Sequence, residues 1–362
     1  MSSTKRTPEE RLAGEAPRAA SKASVAVAAS VAVALVVLGN VVANARSNPP
    51  WLSPDRRIIG TKFEVLRERA AEVLVLGDSS AAFGVDAGVL GEALGRSASN
   101  LATFGRFEVA GSAWTLDEYL RQHPAPELVV AVHGARTWWL HASGIDLAQL
   151  PLEPGYWRAR APQRALAWRE LGEYALAHWL PLYTQHAAFA RALRGGPLGV
   201  PERPAIALDG TMAIGEEEAR WANPEAFLER TVRPELAALA GQAGQAGQAG
   251  QAGQAWAVPQ DQRAAAAALV AQAEAHGFDL VFVSAPHWDA LAAVPEHAAV
   301  IAATEAFLTE LAARHPRVHL LPGGPSLFAR GEVENPYHLR AEAAARYTRE
   351  LAEALRALLP SR

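Results

Sequence analysis

The chain has 362 residues, 50% of them hydrophobic and 20% charged, with a formal net charge of −4 and no cysteine. This composition excludes a disordered, collagen-like or disulfide-stapled chain, and it removes cysteine nucleophiles, thiolate metal sites and iron–sulfur clusters. A pI of about 6.3 leaves no basic excess to displace the counterions of a nucleic acid, so no nucleic-acid partner is expected.

From Ala23 to Ala45 the chain carries no charge and is mostly Ala and Val. At 1.5 Å per residue such a span crosses the roughly 30 Å core of a bilayer. Residues 1–22 hold Lys5, Arg6, Arg11, Arg18 and Lys22, which predicts a cytoplasmic tail and a main domain in the periplasm or outside the cell. A cleaved signal peptide satisfies the same pattern, since Ala43-Asn44-Ala45 fits the small-x-small cleavage site. The long basic region and long apolar stretch favour an uncleaved single-pass anchor. A buried helix of a soluble protein is the third reading.

Residues 46–70 read as a linker, with Pro49, Pro50, Trp51 and Pro54 at its start and a short helix from Lys62 to Arg69. Five apolar runs follow: Glu72–Leu76, Ala98–Ala102, Glu127–Val132, Asp279–Ser284 and Arg317–Leu321. Amphipathic stretches separate most of them. Such alternation predicts an α/β domain over 71–360, a flavodoxin-like three-layer sandwich of about five parallel strands. The last stretch, Ala341–Leu359, places Ala344, Tyr347, Leu351, Leu355 and Leu358 on one helical face.

A helical insertion at about 138–259 interrupts this pattern. It holds Trp138, Trp139, Trp157, Trp168, Trp179, Trp221 and Trp256, read mostly as core. One helix start is marked by Asn223, Pro224 and Glu225. Over 241–255 the triplet Gly-Gln-Ala repeats five times; it offers no apolar face and reads as a loop. Insertions of this length form lids, subdomains or partner surfaces.

Ligands of an open parallel sheet bind beyond the carboxyl ends of its strands. The first strand ends in Gly77-Asp78-Ser79-Ser80, the second in Thr103-Phe104-Gly105-Arg106 and the third in His133-Gly134-Ala135-Arg136. The fourth ends in Pro286-His287, and the fifth is followed by Glu332 to Leu339. Ser79, on a strand-to-helix turn, is a candidate hydroxyl nucleophile whose turn aims backbone N–H groups at the same space. His338 is a candidate proton acceptor. His133 and His287, also at strand ends, are candidates for the substrate pocket. Asp78 reads as a turn-stabilising carboxylate. No metal-ligand spacing is present, and neither a metal nor a cofactor is expected.

These blocks resemble the SGNH/GDSL hydrolase family. The first matches as VLVLGDSSAAFGV, from Val73 to Val85, and the last as NPYHLRAEAAARYTRELAEAL, from Asn335 to Leu355. Asn100 through Gly105 looks like the second block, and Gly134-Ala135-Arg136-Thr137 stands where the family reads Gly-x-Asn-Asp. The resemblance implies Ser79 as nucleophile, His338 as general base, and the N–H groups of Ser79 and Gly105 as oxyanion donors. Two positions depart from it. Asn335 replaces the acidic residue that orients the base, with Glu334 or Glu332 as nearby carboxylates, and Arg136 replaces the oxyanion Asn. By resemblance to exported, membrane-anchored members linked to polysaccharide O-acetylation, the implied activity is a serine-dependent ester hydrolase or O-acyltransferase. Its substrate would be an acyl ester or glycan, with cell-envelope proteins as partners. The rival reading is a non-catalytic module that binds or positions a glycan.

Overall fold

The computed structural model describes residues 22–45, 54–140, 168–180, 206–212, 223–239 and 256–359, with single positions at 146 and 190. The expectations for the 1–21 tail, Trp51, Trp157, Trp221 and the 241–255 repeat lie outside the described residues. The chain divides into two compact units, Met1–Ser47 and Asn48–Arg362.

In the first unit, helix α1 (Lys22–Ala45) is 24 residues long. Its Ser24–Val41 stretch has a mean hydropathy of 2.2, long and apolar enough to cross a membrane. The polar Asn40 is accommodated by its own turn, since its Nδ2 donates to the Val36 carbonyl at 2.8 Å.

The second unit begins earlier than the sequence suggests. Helix α2 (Pro54–Glu68) occupies most of the expected 46–70 linker. Pro54 is no breaker at a first helical position, where its missing N–H has no partner to lose. Ile59, Phe63 and Leu66 recur at helical spacing and are 0%, 1% and 0% exposed. That stretch belongs to the core of the domain.

The central sheet has five parallel strands: β1 (Val73–Gly77), β2 (Ala98–Asn100), β3 (Leu128–His133), β4 (Asp279–Ser284) and β5 (Val318–Leu320). They lie in the order β2-β1-β3-β4-β5. Every residue of β1 and β3 is buried, as expected of strands covered on both faces. Leu74, Leu76, Val129, Ala131, Leu280 and Phe282 join one apolar cluster, with α2, α5 (Glu108–Leu120), α8 (Gln260–His276) and α9 (Pro295–Arg314). Val73, Val75, Leu128, Val130, Val132 and Val281 join the other. There they pack with α3 (Ser79–Gly84), α4 (Ala87–Leu94) and α10 (Ala341–Leu355). Within the insertion, α6 (Trp168–Trp179) and α7, which runs over 224–239 and passes through a π-helical turn at Leu228–Val232, are described. Asn223 caps α7, its Oδ1 accepting from the Ala226 N–H at 2.9 Å. Trp138 and Trp139 are buried, while Trp168 is 90% exposed.

A fully buried lysine joins three of these pieces. Lys62 of α2 is 1% exposed. Its Nζ donates to the Asn100 carbonyl at 2.8 Å, to Asn100 Oδ1 at 3.3 Å and to the Gly210 carbonyl at 2.5 Å. Burial lowers its pKa to about 7, and the nearby Asp209 carboxylate opposes that shift. Asn100 Nδ2 in turn donates to the carbonyls of Ala81, within α3, and of Val85, which follows it. The Ser79 helix is thereby tied to the sheet edge and to the inserted segment 206–212.

The chain leaves β1 toward β2 on one side, and β3 lies on the other. A crevice therefore opens beyond the carboxyl ends of β1 and β3. Gly77 makes the close approach there: its φ is +149°, and a Cβ would sit 1.9 Å from the Val132 carbonyl oxygen. Gly77→Ala is expected to cost about 3 kcal/mol or more, or to prevent folding, read from the urea midpoint of the purified protein.

Candidate active site

The crevice is a cleft of about 330 Å³ whose lining includes Asp78, Ser79, Phe104, Gly105, Arg136 and Tyr337. Its floor is organised by Asp78, which is 3% exposed. This residue caps α3, Oδ1 accepting from the Ser80 N–H at 2.9 Å. Its Oδ2 accepts from the Gly134 N–H at 2.7 Å and from Thr137 Oγ1 at 2.5 Å. One carboxylate thus fastens the turn after β1 to the turn after β3. That geometry makes it a fixed acceptor.

Ser79 opens α3 directly after this cap and lines the cleft. Among the described residues, the N–H groups of Ser79 and Gly105 donate no hydrogen bond. Both residues line the cleft. Gly105 lies so close to its neighbours that a Cβ would stand 2.9 Å from Thr137 Oγ1. Just beyond it, Glu108 turns the chain into α5 with φ at 58°, an uncommon conformation for a side chain of this size.

His338 arrives from the opposite end of the chain, on a small antiparallel pair, β6 (Val333–Asn335) and β7 (His338–Leu339). Its ring lies 4.9 Å, centroid to centroid, from Phe83. Phe83 belongs to α3, so the imidazole packs against the helix that Ser79 opens, but His338 is not among the residues that line the cleft. Among the described residues, no hydrogen bond joins Ser79 to His338. The turn is fixed by Asn335, whose Oδ1 accepts from the Tyr337 and His338 N–H groups at 3.0 and 3.1 Å. Asn335 Nδ2 faces His338 Nδ1 at 2.9 Å. Burial lowers the imidazole pKa to about 4, with the Asp78 carboxylate pulling the other way. His338 is therefore neutral around pH 7.

The remaining sequence candidates are placed differently. Arg136 lines the cleft, but its Nη2 pairs with Glu235 Oε2 at 2.7 Å, and its guanidinium lies 5.8 Å over the Tyr337 ring. Neither nearby glutamate engages His338: Glu334 pairs with Arg340 and Glu332 with Arg346. On β6 the side chain of Glu334 alternates to the face opposite Asn335.

His133 and His287 do not line the cleft. His133 is 2% exposed, bonded through Nε2 to Ser112 Oγ at 3.0 Å and edge-on to Trp138. His287 is 5% exposed and stacks edge-on with His297 at 5.0 Å. A strand end places a residue near the cleft without deciding which face its side chain takes.

Three contributors were not singled out from the sequence. Thr137 holds Asp78, Tyr337 walls the cleft, and Glu235 neutralises Arg136 from α7. Tyr337 had a signal, since it lies between Asn335 and His338. Glu235 had none, being about 100 residues from Arg136.

No protein-family model matches this chain, and no curated protein does either.

Two outcomes follow from this electrostatic arrangement. Asp78→Asn turns an amide N–H₂ toward groups that themselves donate, and is expected to cost about 3 kcal/mol in the urea midpoint. Burial also lowers the pKa of His133 and His287 to about 4, and burial with the neighbouring His287 lowers His297 to about 3. These depressed values, from 6.5 unfolded, give stability that is complete above pH 6.5 and lost as pH falls through about 4. The slope expected is about 1.4 kcal/mol per pH unit for each histidine. A urea midpoint that stays flat from about pH 6.5 down to about pH 4.5 would contradict it.

Proposed function

We propose that this chain is a membrane-anchored, SGNH-like protein whose exported domain acts on acyl esters through Ser79. The observation that carries the reading is the position of Ser79. It heads a helix at the switch point of a parallel sheet, beside two undonated N–H groups, with the His338 ring against Phe83 of that helix. Those N–H groups suit a carbonyl oxygen that gains negative charge as the hydroxyl attacks. The sheet order, with the second strand outside the first, agrees with a flavodoxin-like three-layer fold. Helix α1 supports the anchor, and the basic residues before it support a cytoplasmic N-terminus and a domain facing the periplasm or cell surface.

In this reading Ser79 Oγ bonds to the carbonyl carbon as its proton passes to His338, the carbon–oxygen bond to the alcohol breaks as that proton is delivered to the departing oxygen, and an acyl-serine remains. Water completes hydrolysis, and a sugar hydroxyl completes transfer. An O-acyl glycan of the cell envelope is the proposed substrate. A second reading, a module that binds or positions a glycan without turnover, is favoured by one observation: both departures from the family pattern, Asn335 and Arg136, are held by partners of their own.

The test is turnover of an aryl acetate by the full chain in detergent, beside Ser79→Ala. The substitution is expected to lower the rate about tenfold or more. Equal rates for the two proteins would rule out Ser79 as the nucleophile.

A further inference from the structure

The amide of Asn335 cannot be turned over without loss. Its Oδ1 accepts two backbone N–H groups, from Tyr337 and His338. Exchanging oxygen and nitrogen would set an N–H₂ against both donors. Nδ2 is therefore fixed toward His338 Nδ1. As Nδ2 can only donate, Nδ1 must offer its lone pair. In a neutral imidazole the proton then lies on Nε2.

We propose that Asn335 is a positioning residue that locks His338 in the Nε2–H tautomer, so that the resting imidazole donates where a general base must accept. With Nδ1 occupied by Asn335, Nε2 is the ring nitrogen left for proton transfer, and it already carries a proton. To accept the Ser79 proton, His338 would first have to move its own proton to Nδ1, facing the Asn335 N–H₂. Two donors would then meet at hydrogen-bond distance. The locked site suits an oxygen ligand, such as an acyl carbonyl or a carboxylate, which accepts from Nε2–H.

The substitution Asn335→Asp reverses this arrangement. One oxygen of the introduced carboxylate would keep the two backbone N–H bonds, and the other would accept Nδ1–H. Nε2 would then present its lone pair, take the proton of Ser79 Oγ as the hydroxyl attacks, and deliver it to the departing alcohol. The catalytic consequence rests on the reading of Ser79 as nucleophile; the tautomer does not.

Two measurements on the full chain test the proposal. The first is the nitrogen NMR spectrum of histidine-labelled protein at neutral pH, with His338 assigned by its loss in His338→Gln. An unprotonated Nδ1 and a protonated Nε2 are expected, exchanging places in Asn335→Asp. A protonated Nδ1 in the unsubstituted protein would overturn the assignment. The second is aryl acetate turnover as a function of pH. Asn335→Asp is expected to gain about 100-fold or more, toward the roughly 10⁴-fold that a carboxylate supplies in a serine–histidine site. Where Ser79→Ala abolishes turnover, the absence of a gain overturns the proposed control. Where Ser79→Ala leaves turnover unchanged, the acyl-transfer reading fails instead, and the histidine spectrum alone decides the tautomer.

Discussion

The carboxylate of Asp78 is the interaction on which the cleft depends. It closes three hydrogen bonds within a buried volume, joining the cap of the Ser79 helix to the turn that carries Gly134 and Thr137. A parallel sheet fixes its strands by their ladder, but the loops beyond the carboxyl ends have no ladder of their own. Here a single charged acceptor holds them. Its field also reaches His133 and His338, where it favours protonation but is outweighed by burial. The histidines behind and beside the cleft consequently remain neutral, and the local negative charge is already engaged by donors.

Much of the scaffold was legible because parallel strands buried on both faces must be apolar along their whole length. β1 and β3 are such runs, and their bounds shift by a single residue from the sequence reading. The N-terminal part of the domain was less legible. Three prolines before Asp55 resemble a linker, and only packing shows that Ile59, Phe63 and Leu66 form an inward face. The turns that carry Ser79 and His338 were legible because each is local: a side chain that caps its own turn, Asp78 or Asn335, stands within three residues. The Arg136–Glu235 pair was not, as it joins elements far apart in the chain. The orientation of His133 was equally hidden, because strand alternation gives two faces and the sequence does not mark which one the cleft uses.

Arg136 and Asn335 have different physical characters. Arg136 brings a cation to the turn after β3, and α7 answers with Glu235 while Tyr337 offers a ring face. That pair draws the insertion into the wall of the cleft. Asn335 holds its turn through one oxygen, which an aspartate would also offer. Between the two side chains the shape is the same and only the direction of one hydrogen bond differs. A site can thus keep its geometry and change its chemistry.

Lys62 gives the insertion a meaning that its low sequence complexity conceals. One of the three oxygens around this ammonium belongs to Gly210, within the inserted segment, and Asp209 beside it also provides a main-chain acceptor for Asn100. A shortened protein joined directly from β3 to β4 would keep the strands yet leave a cation short of oxygen in an apolar interior. The stretch around Gly210 is therefore part of what holds the domain together, and any miniaturised version has to begin by replacing that lysine.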